Sequence, residues 1–410
     1  MSEHDTVVIG GGQAGLAMSY HLSSRNRDHV VLERGRIAER WHGERWDSLR
    51  FQFPNWTMAL PGMAYDGPEP DVFAHYRDVA KFIESYARHI EAPVRPGVEV
   101  IRLQRTASGR FQIETSAGDL TSRHVVVATG PFQRPLVPGI SSRLPARIAQ
   151  IHAADYRNPE TLPSGAVLVV GSGASGCQIA EELLSAGRTV YLSISRHRRV
   201  PRRYRGRDLF WWLTELGRFD VTIDSFPDRR PLPTALITGV NGGYDVDLRR
   251  FAANGGHVLG YLRGTDGEQL HFNGNAEQLL SEADSTYSDF VLAAENHVAA
   301  RGLDLPPAEP PSSRHTRHIG SIEPVLNLDA AASGIKTVIW ATGYEYDYRW
   351  IDMDLFDAQG APKQQRGVTD CPGLYFLGLH WMHTLKSGLF FGVGEDAAFI
   401  AEHISARSSG

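Results

Sequence analysis

Apolar and polar positions alternate along the chain in patterns that predict buried strands separated by amphipathic helices. Mainly apolar runs, which are typical of parallel strands covered on both faces, predict strands at residues 6–9, 29–32, 124–128, 166–170, 189–194, 336–341 and 374–379. Apolar positions three and four residues apart predict helices at 16–23, 71–90, 177–186 and 392–404. Strict alternation predicts half-exposed strands at 99–103 and 111–115. The order of these elements indicates an α/β fold.

Two segments repeat the same plan of strand, glycine turn, helix and strand, which is the plan of a dinucleotide-binding unit. One begins at Thr6 and the other at Ala166. We therefore predict two Rossmann-like dinucleotide-binding domains, the second inserted into the first. The predicted boundaries are 1–160 for the first part of the first domain, 161–330 for the inserted domain with an irregular segment, and 331–410 for the remainder. Proline-rich loops are predicted at 227–233 and 306–311.

The first glycine turn, residues 10–15, fits G-x-G-x-x-G. In this motif the first glycine permits the tight turn, the second lets the backbone approach a diphosphate, and the third lets helix and strand pack closely. Glu33 ends the following strand, where an acid accepts hydrogen bonds from ribose hydroxyls. The alternative is a glycine turn without a ligand, and the surrounding strand–helix–strand pattern argues against it.

The second turn, residues 171–176, fits the same pattern, but its following strand ends at Ser195-Arg196 with no acid. A basic residue at this place suits the 2′-phosphate of NADP. Further arginines crowd the next dozen positions, namely Arg198, Arg199, Arg202, Arg203, Arg205 and Arg207. A solvated basic loop therefore remains an alternative for the cluster as a whole.

Composition argues against nucleic-acid-binding, disulfide-rich and membrane-spanning proteins. The chain has 410 residues, a formal net charge of −5 and two cysteines, Cys177 and Cys371. The net charge gives no case for nucleic acid, and two distant cysteines support neither a disulfide scaffold nor a metal site. No apolar run is long enough for a signal sequence or a membrane span. These features predict a cytoplasmic protein without a metal. Cys177 and His152 are interpreted as structural.

Three segments together carry a resemblance to a family: VVIGGGQAGLA at 7–17, VVGSGASGCQIAEEL at 169–183 and IWATGY at 339–344. They resemble the class B flavin-dependent monooxygenases, which include FMO-like, YUCCA-like and Baeyer–Villiger enzymes. The segments at 45–62, 202–213 and 387–404 resemble bacterial members, so the likeness covers nearly the whole chain. His152 and Tyr156 match the end of the family fingerprint F-x-G-x-x-x-H and its following aromatic, whereas Ala146 and Ile148 stand at its Phe and Gly positions.

The resemblance implies a function. NADPH would reduce FAD, O2 would add to the reduced flavin to give a peroxyflavin, and one oxygen atom would enter a small organic substrate by N-, S- or C-oxygenation. The alternatives are an NAD(P)H-dependent flavin reductase or dehydrogenase without oxygen insertion, and a non-enzymatic redox-sensing flavoprotein. The expected partners are the substrate and O2, with no nucleic acid and no membrane, and a homo-oligomer is possible.

The candidate site residues follow from the motifs and the resemblance. In FMO-like enzymes an amide side chain after the second strand helps to hold the oxygenated flavin, which points to Gln52 as catalytic, with Asn55 as the alternative. Trp41 and Trp46 either pack on the flavin or fill the core. The residues predicted to bind cofactor are Gly10, Gly12, Gln13, Ala14, Gly15, Glu33, Arg40, Trp41, Trp46, Gln52, Val100, Ala128, Thr129, Gly130, Gly171, Gly173, Ala174, Ser175, Gly176, Ser195, Arg196, Ala341, Thr342, Gly343 and Leu379.

Overall fold

The computed structural model describes residues 2–226, 233, 235–308 and 321–407. The strands in chain order are β1 Ser2–Ile9, β2 His29–Glu33, β3 Ala59–Leu60, β4 Met63–Ala64, β5 Val94–Pro96, β6 Val100–Arg105, β7 Phe111–Thr115, β8 Leu120–Val127, β9 Arg134–Pro135, β10 Ala149–His152, β11 Ala166–Val170, β12 Val190–Ser193, β13 Arg203–Tyr204, β14 Arg207–Asp208, β15 Ile237–Thr238, β16 Tyr244–Asp245, β17 His257–Leu259, β18 Leu262–Asp266, β19 Gln269–Phe272, β20 Asn327–Asp329, β21 Ile335–Trp340, β22 Tyr344–Glu345 and β23 Leu374–Phe376. The α-helices are α1 Gln13–Ser23, α2 Glu39–Gly43, α3 Tyr76–His89, α4 Ala174–Ser185, α5 Leu209–Glu215, α6 Leu248–Ala253, α7 Ala276–Arg301 and α8 Phe390–Arg407.

The first sheet has the order β5-β2-β1-β8-β7-β6, with β23 also paired to β8. Its central strands run parallel, with Thr6 opposite both His29 and His124. The apolar runs of these strands are buried because helices cover the sheet, and Val7 and Val8 have no exposed surface. Helices α1 and α8 pack against each other over this core. The predicted α/β class and the first Rossmann-like unit are confirmed.

The second sheet is parallel throughout, with the order β10-β21-β11-β12-β17. Strand β21 lies between β10 and β11, so that Ile339 pairs with both Ile151 and Val169. Sheet membership therefore differs from the predicted boundaries at 160 and 330, because both β10 and β21 belong to the second sheet. Pairing between strands so distant in sequence is set by tertiary packing, which the linear pattern of apolar runs does not record.

The chain passes between the two sheets through a pair of short antiparallel strands. Tyr344 of β22 lies opposite Pro135 of β9, and the amide of Leu136 donates to the Gly343 carbonyl at 3.0 Å. One crossing follows the exit of β8 and the other follows the exit of β21. Together they hold the edges at which the two glycine turns lie.

The inserted domain, predicted at 161–330 with an irregular segment, contains the 26-residue helix α7. The pattern of apolar positions did not predict α7, because only a narrow stripe of its residues is buried, among them Leu279, Leu280 and Ala283. The helix ends at Gly302, whose backbone is left-handed with φ of +61°, as is usual at a helix C-terminus. Of the predicted loops, residues 227–232 and 309–311 fall outside the described residues, whereas residues 306–308 have no helix or strand. No helix in the described part of the chain is both long and apolar enough to cross a bilayer.

Candidate cofactor and active site

The first glycine turn is shaped by contacts that leave no room for side chains on one face and ample room on the other. A Cβ on Gly10, whose φ is +117°, would lie 2.5 Å from the Ala128 carbonyl oxygen. A Cβ on Gly15 would lie 1.9 Å from the Gly10 carbonyl oxygen, whereas one on Gly12 would meet nothing within 4 Å. Helix α1 starts next to Gly12 without a side-chain cap. Its first amides therefore face an open space and can bind a diphosphate.

Glu33 closes the first turn. Its carboxylate accepts hydrogen bonds from the amide of Gly11 at 2.7 Å and from the amide of Gly35 at 2.9 Å. The amide of Val98 donates to the Glu33 carbonyl at 2.9 Å, which brings the start of β6 at Val100 towards the same place. The acid is thus fixed beside the open face of the turn, where a ribose would lie.

The second turn repeats the backbone geometry of the first. A Cβ on Gly171, whose φ is +113°, would lie 2.4 Å from the Ala341 carbonyl oxygen. A Cβ on Gly176 would lie 2.0 Å from the Gly171 carbonyl oxygen, and one on Gly173 would meet nothing within 4 Å. Helix α4 also starts without a side-chain cap. The structure therefore contains two open, uncapped helix N-termini built in the same way.

Hydroxyl and backbone groups close the second turn in place of a carboxylate. The Ser172 hydroxyl donates to the Ser195 carbonyl at 3.1 Å and accepts from the Ser195 amide at 2.9 Å. The next residue, Arg196, is exposed and forms no ion pair within the described residues. Its guanidinium is free to meet an added phosphate, as a 2′-phosphate site requires.

The other arginines of this region are not one basic loop. Three of them are ion-paired within the fold: Arg199 with Asp247 at 2.9 Å and Asp284 at 2.8 Å, Arg202 with Asp208 at 2.9 Å, and Arg205 with Glu295 at 2.8 Å. Arg203 and Arg207 are exposed like Arg196. The alternative of a solvated basic loop is therefore wrong for the three paired side chains, which brace the inserted domain.

Hydrogen bonds hold the strand exits in place, and one of them links the exits of the two sheets. The Gln133 amide donates to the Thr129 hydroxyl at 3.0 Å and to the Gly130 carbonyl at 2.9 Å. His152 accepts from the Ala154 amide at Nδ1, at 3.1 Å, so its Nε2 carries the proton and donates to the Gly343 carbonyl at 3.0 Å. The Thr342 hydroxyl donates to the Leu136 carbonyl. Burial lowers the pKa of His152, which fits a neutral structural residue.

Gln52 and Asn55 differ in how their amide groups are used. The Asn55 side chain donates to the Glu69 carbonyl at 3.0 Å and accepts from the Ala74 amide at 2.8 Å. It is buried and braces its own loop, so the interpretation of Asn55 as catalytic is not supported. The Gln52 side chain is half-buried and has no hydrogen-bond partner among the described residues. Gln52 therefore remains the candidate donor.

The two tryptophan candidates differ in burial and in the core they contact. Trp46 is 5 % exposed and packs in the core of the second domain, which supports the interpretation that it fills the core. Trp41 is half-buried and meets Phe51 edge-on, with ring centroids 5.9 Å apart. Arg40 pairs with Glu44 at 2.6 Å, which fixes it at the end of α2.

Leu379 follows a close approach between two parts of the first domain. A Cβ on Gly378, whose φ is +80°, would lie 2.5 Å from the Ala14 Cβ in the first turn of α1. The Gln13 amide donates to the Gly388 carbonyl at 3.4 Å. Gly378, directly before Leu379, therefore lies against the first turn of α1, and cofactor binding by Leu379 stays a prediction.

The structure adds residues that sequence reasoning missed. Arg202 of the inserted domain is 2 % exposed and donates to the Gln52 carbonyl at 2.6 Å, with its guanidinium 4.1 Å from the Phe73 ring centroid. Phe53 packs on Phe51 at 4.9 Å and on Phe210 at 4.6 Å. The contact of Phe210 with the segment that carries Gln52 is tertiary, so the sequence pattern does not record it. No group of three metal-ligating side chains occurs among the described residues.

Comparison with known proteins gives three kinds of similarity. Residues 7–207 match the family model described as pyridine nucleotide-disulphide oxidoreductase. The chain is 34% identical over 405 residues to an uncharacterized oxidoreductase, CzcO-like, of Geobacillus kaustophilus strain HTA426, covering 98% of each chain. It is 32% identical over 324 residues to the probable indole-3-pyruvate monooxygenase YUCCA8 of Arabidopsis thaliana, covering 70% of this chain and 73% of that one.

A solved structure gives the same fold. A mutant flavin monooxygenase from Stenotrophomonas maltophilia superposes with a TM-score of 0.68 at 18% identity, over 100% of both chains. At this identity the likeness concerns the fold alone. It confirms the predicted arrangement of two Rossmann-like domains.

Proposed function

The chain belongs to the flavin-dependent monooxygenase family and is an FAD-dependent enzyme, and from this premise we propose that it oxidises NADPH and transfers one atom of O2 to a small organic substrate. The balance is NADPH, a proton, O2 and substrate on one side, and NADP+, water and oxygenated substrate on the other. The observation that carries the proposal is the pair of open glycine turns with different closing groups.

We assign FAD to the first turn. The uncapped amides of α1 would bind the diphosphate of the cofactor, since Gly12 leaves the approach open. The Glu33 carboxylate, which already accepts from Gly11 and Gly35, would accept from the adenosine ribose. A ribose with two free hydroxyls is the partner that a carboxylate prefers at this position.

We assign NADPH to the second turn. The Ser172–Ser195 closure presents no negative charge to the ribose, so a 2′-phosphate meets no repulsion there. Arg196 is exposed and without an ion pair among the described residues. A guanidinium in this state binds a phosphate by two parallel hydrogen bonds.

The chemistry supplied by bound FAD is acceptance of a hydride and activation of O2. The protein contributes position and a dry environment. Arg202 fixes the Gln52 carbonyl at 2.6 Å, which sets the direction of the unpartnered Gln52 amide. The aromatic rings of Phe51, Phe53 and Phe210 pack together beside Gln52 and would exclude water, which otherwise competes for the reactive oxygen.

The cysteines argue against disulfide reduction, the activity in the name of the matching family model. Cys177 is fully packed at 1 % exposure, and burial raises the pKa of its thiol. Cys371 is a free thiol in another segment. A reductase of that kind attacks with an accessible, low-pKa thiolate, and neither described cysteine meets this requirement.

The test is product mass spectrometry with isotopically labelled O2. The purified yellow protein is incubated with NADPH and panels of amines, sulfides, ketones and indoles. The expected result is one labelled oxygen atom in a product and NADPH oxidation that depends on that substrate. A flavin reductase would instead reduce a dye without oxygen as fast as with it, and no product would carry the label.

A further inference from the structure

Arg45 is a cation that the fold leaves without a counter-charge. Its guanidinium lies over the Trp41 ring, 4.8 Å from the centroid. One terminal nitrogen donates to the carbonyl of the preceding residue, Glu44, at 2.8 Å. Within the described residues no carboxylate lies within 4.0 Å of the Arg45 guanidinium. The side chain is half-buried, so its remaining donors are neither fully hydrated nor paired.

The nearest carboxylate in sequence forms its ion pair with another arginine. The Glu44 carboxylate is taken by Arg40, to which it pairs at 2.6 Å. Burial is the largest effect and lowers the pKa of Arg45, Tyr344 and Glu44 oppose it, and the charge of Arg40 adds a smaller lowering. Removing a cation from water costs free energy that only a nearby anion offsets. Arg45 is therefore a partly desolvated cation without an ion-pair partner among the described residues.

Arg45 lies at the crossing between the two domains. The ring of Tyr344, which follows Gly343, packs edge-on against Phe132 at 5.2 Å and against His152 at 5.1 Å. At the two crossing glycines, Gly130 and Gly343, a Cβ would meet nothing within 4 Å. Arg40, five residues before Arg45, donates to the Gln133 carbonyl at 3.2 Å, so the segment that carries Arg45 is held near these open strand exits.

We infer that Arg45 is the cation of a binding site for an anionic oxygen group, which is a diphosphate of a bound dinucleotide or a carboxylate of the substrate. The inference rests on the proposed function for the placement of the dinucleotides, but not on oxygen transfer. The guanidinium offers a planar pair of donors that matches either group, and the Trp41 ring fixes its orientation. The Arg45 site is distinct from Arg196, which lies at the second turn.

The test compares Arg45→Met, which removes the charge and keeps the length, with Arg45→Lys, which keeps the charge. Arg36→Met is the matched control, because Arg36 is an exposed arginine of the same segment paired with Glu39 at 3.1 Å. Three affinities are measured: FAD retention on gel filtration, NADP+ binding to the flavin-loaded protein by calorimetry, and benzoate binding to the same protein. FAD and NADP+ test for binding of a dinucleotide diphosphate, and benzoate tests for binding of a carboxylate.

The expected result is that Arg45→Met weakens one of the three affinities by about tenfold to a hundredfold, the range for one charged hydrogen-bonded pair. Arg45→Lys should recover part of the loss and Arg36→Met should show none. The melting temperature of Arg45→Met should not fall, because an uncompensated cation has been removed. Unchanged affinities in all three arms would overturn the inference.

A second result would also overturn it: a fall of all three affinities by one factor together with a lower melting temperature, which is the sign of a structural arginine. Failure of the proposed function is recognised separately. If no product carries labelled oxygen while Arg45→Met still weakens one ligand, oxygen transfer is wrong and the anion site stands.

Discussion

The two glycine turns have nearly the same backbone and different closing groups. A Cβ on the first glycine would come within 2.5 Å of a carbonyl oxygen at Gly10 and within 2.4 Å at Gly171. On the third glycine the corresponding distances are 1.9 Å at Gly15 and 2.0 Å at Gly176. The first turn is closed by the charged Glu33, and the second by the neutral Ser172–Ser195 pair.

The comparison separates two functions of the glycine-turn motif: binding of the diphosphate and recognition of the ribose. The glycines shape the backbone so that amides reach a diphosphate, and this requirement is common to all dinucleotides. The closing group acts on the ribose, where FAD and NADP differ. The turn alone therefore predicts a dinucleotide, whereas its closing residues predict which one.

The largest expected effect comes from filling the open middle of each turn. Gly12→Ala should abolish FAD retention, and Gly173→Ala should abolish NADPH binding while FAD stays bound, because each added methyl occupies the space assigned to a diphosphate. Neither methyl meets protein atoms within 4 Å, so the melting temperature without ligand should change little. Flavin absorbance and NADP+ calorimetry measure the two affinities.

The third glycine of each turn gives the matched control. Gly15→Ala and Gly176→Ala place a methyl 1.9 Å and 2.0 Å from a backbone oxygen, so both should lose about 1–3 kcal/mol of stability from overpacking. If Gly12→Ala destabilises the protein as much as Gly15→Ala does, the open face is not a ligand site.

The turns could be predicted from sequence because their residues are contiguous. The spacing of Gly10, Gly12 and Gly15 already specifies a strand exit, an open approach and a close helix contact. The same holds for Glu33, which the length of one βαβ unit places beside the turn. Local geometry of this kind depends on residues that are close together in sequence.

Other features could not be predicted, since they depend on partners far away in sequence. Asn55 and Gln52 carry the same amide, and only the contacts with Glu69 and Ala74 show that Asn55 is already occupied. Trp46 packs in the second core, although it lies in the first part of the chain. The unpaired state of Arg45 is likewise visible only once every nearby carboxylate has been placed.

The next effect tests the charge at the first turn. Glu33→Ala removes the acceptor for Gly11 and Gly35 and for the ribose, so FAD affinity should fall by about tenfold to a hundredfold. NADPH affinity of the flavin-loaded fraction should stay the same. Fluorescence titration of apoprotein with FAD measures the change, with Glu39→Ala as control. Unaltered FAD affinity would remove Glu33 from the ribose site.

A smaller effect tests the absence of an acid at the second turn. Arg196→Ala should raise the KM for NADPH about tenfold, which corresponds to about 1.4 kcal/mol, because the 2′-phosphate loses its cation. The KM for NADH should not change, since NADH lacks that phosphate. Arg203→Ala, another exposed arginine, is the control. Equal changes in the KM values for NADPH and NADH would show that Arg196 does not bind the 2′-phosphate.

The smallest effect concerns the helices behind the turns. Five residues after the third glycine, α1 carries Tyr20 and α4 carries Glu181. Burial raises the pKa of Glu181 to about 7, partly opposed by the Tyr244 hydroxyl, which donates at 3.1 Å. A carboxyl whose pKa is raised on folding favours the folded state only while it is protonated. Its contribution is present below its unfolded pKa and is lost as pH rises through about 7.

The wild type should therefore lose stability between about pH 5 and about pH 8, by on the order of 1 kcal/mol after allowance for solvent screening. Glu181→Gln should remove that part of the slope, since the amide keeps the shape without titrating. Urea unfolding at both pH values measures it, and FAD retention should not change. A Glu181→Gln variant with the wild-type slope would show that Glu181 does not account for the loss of stability in this pH range.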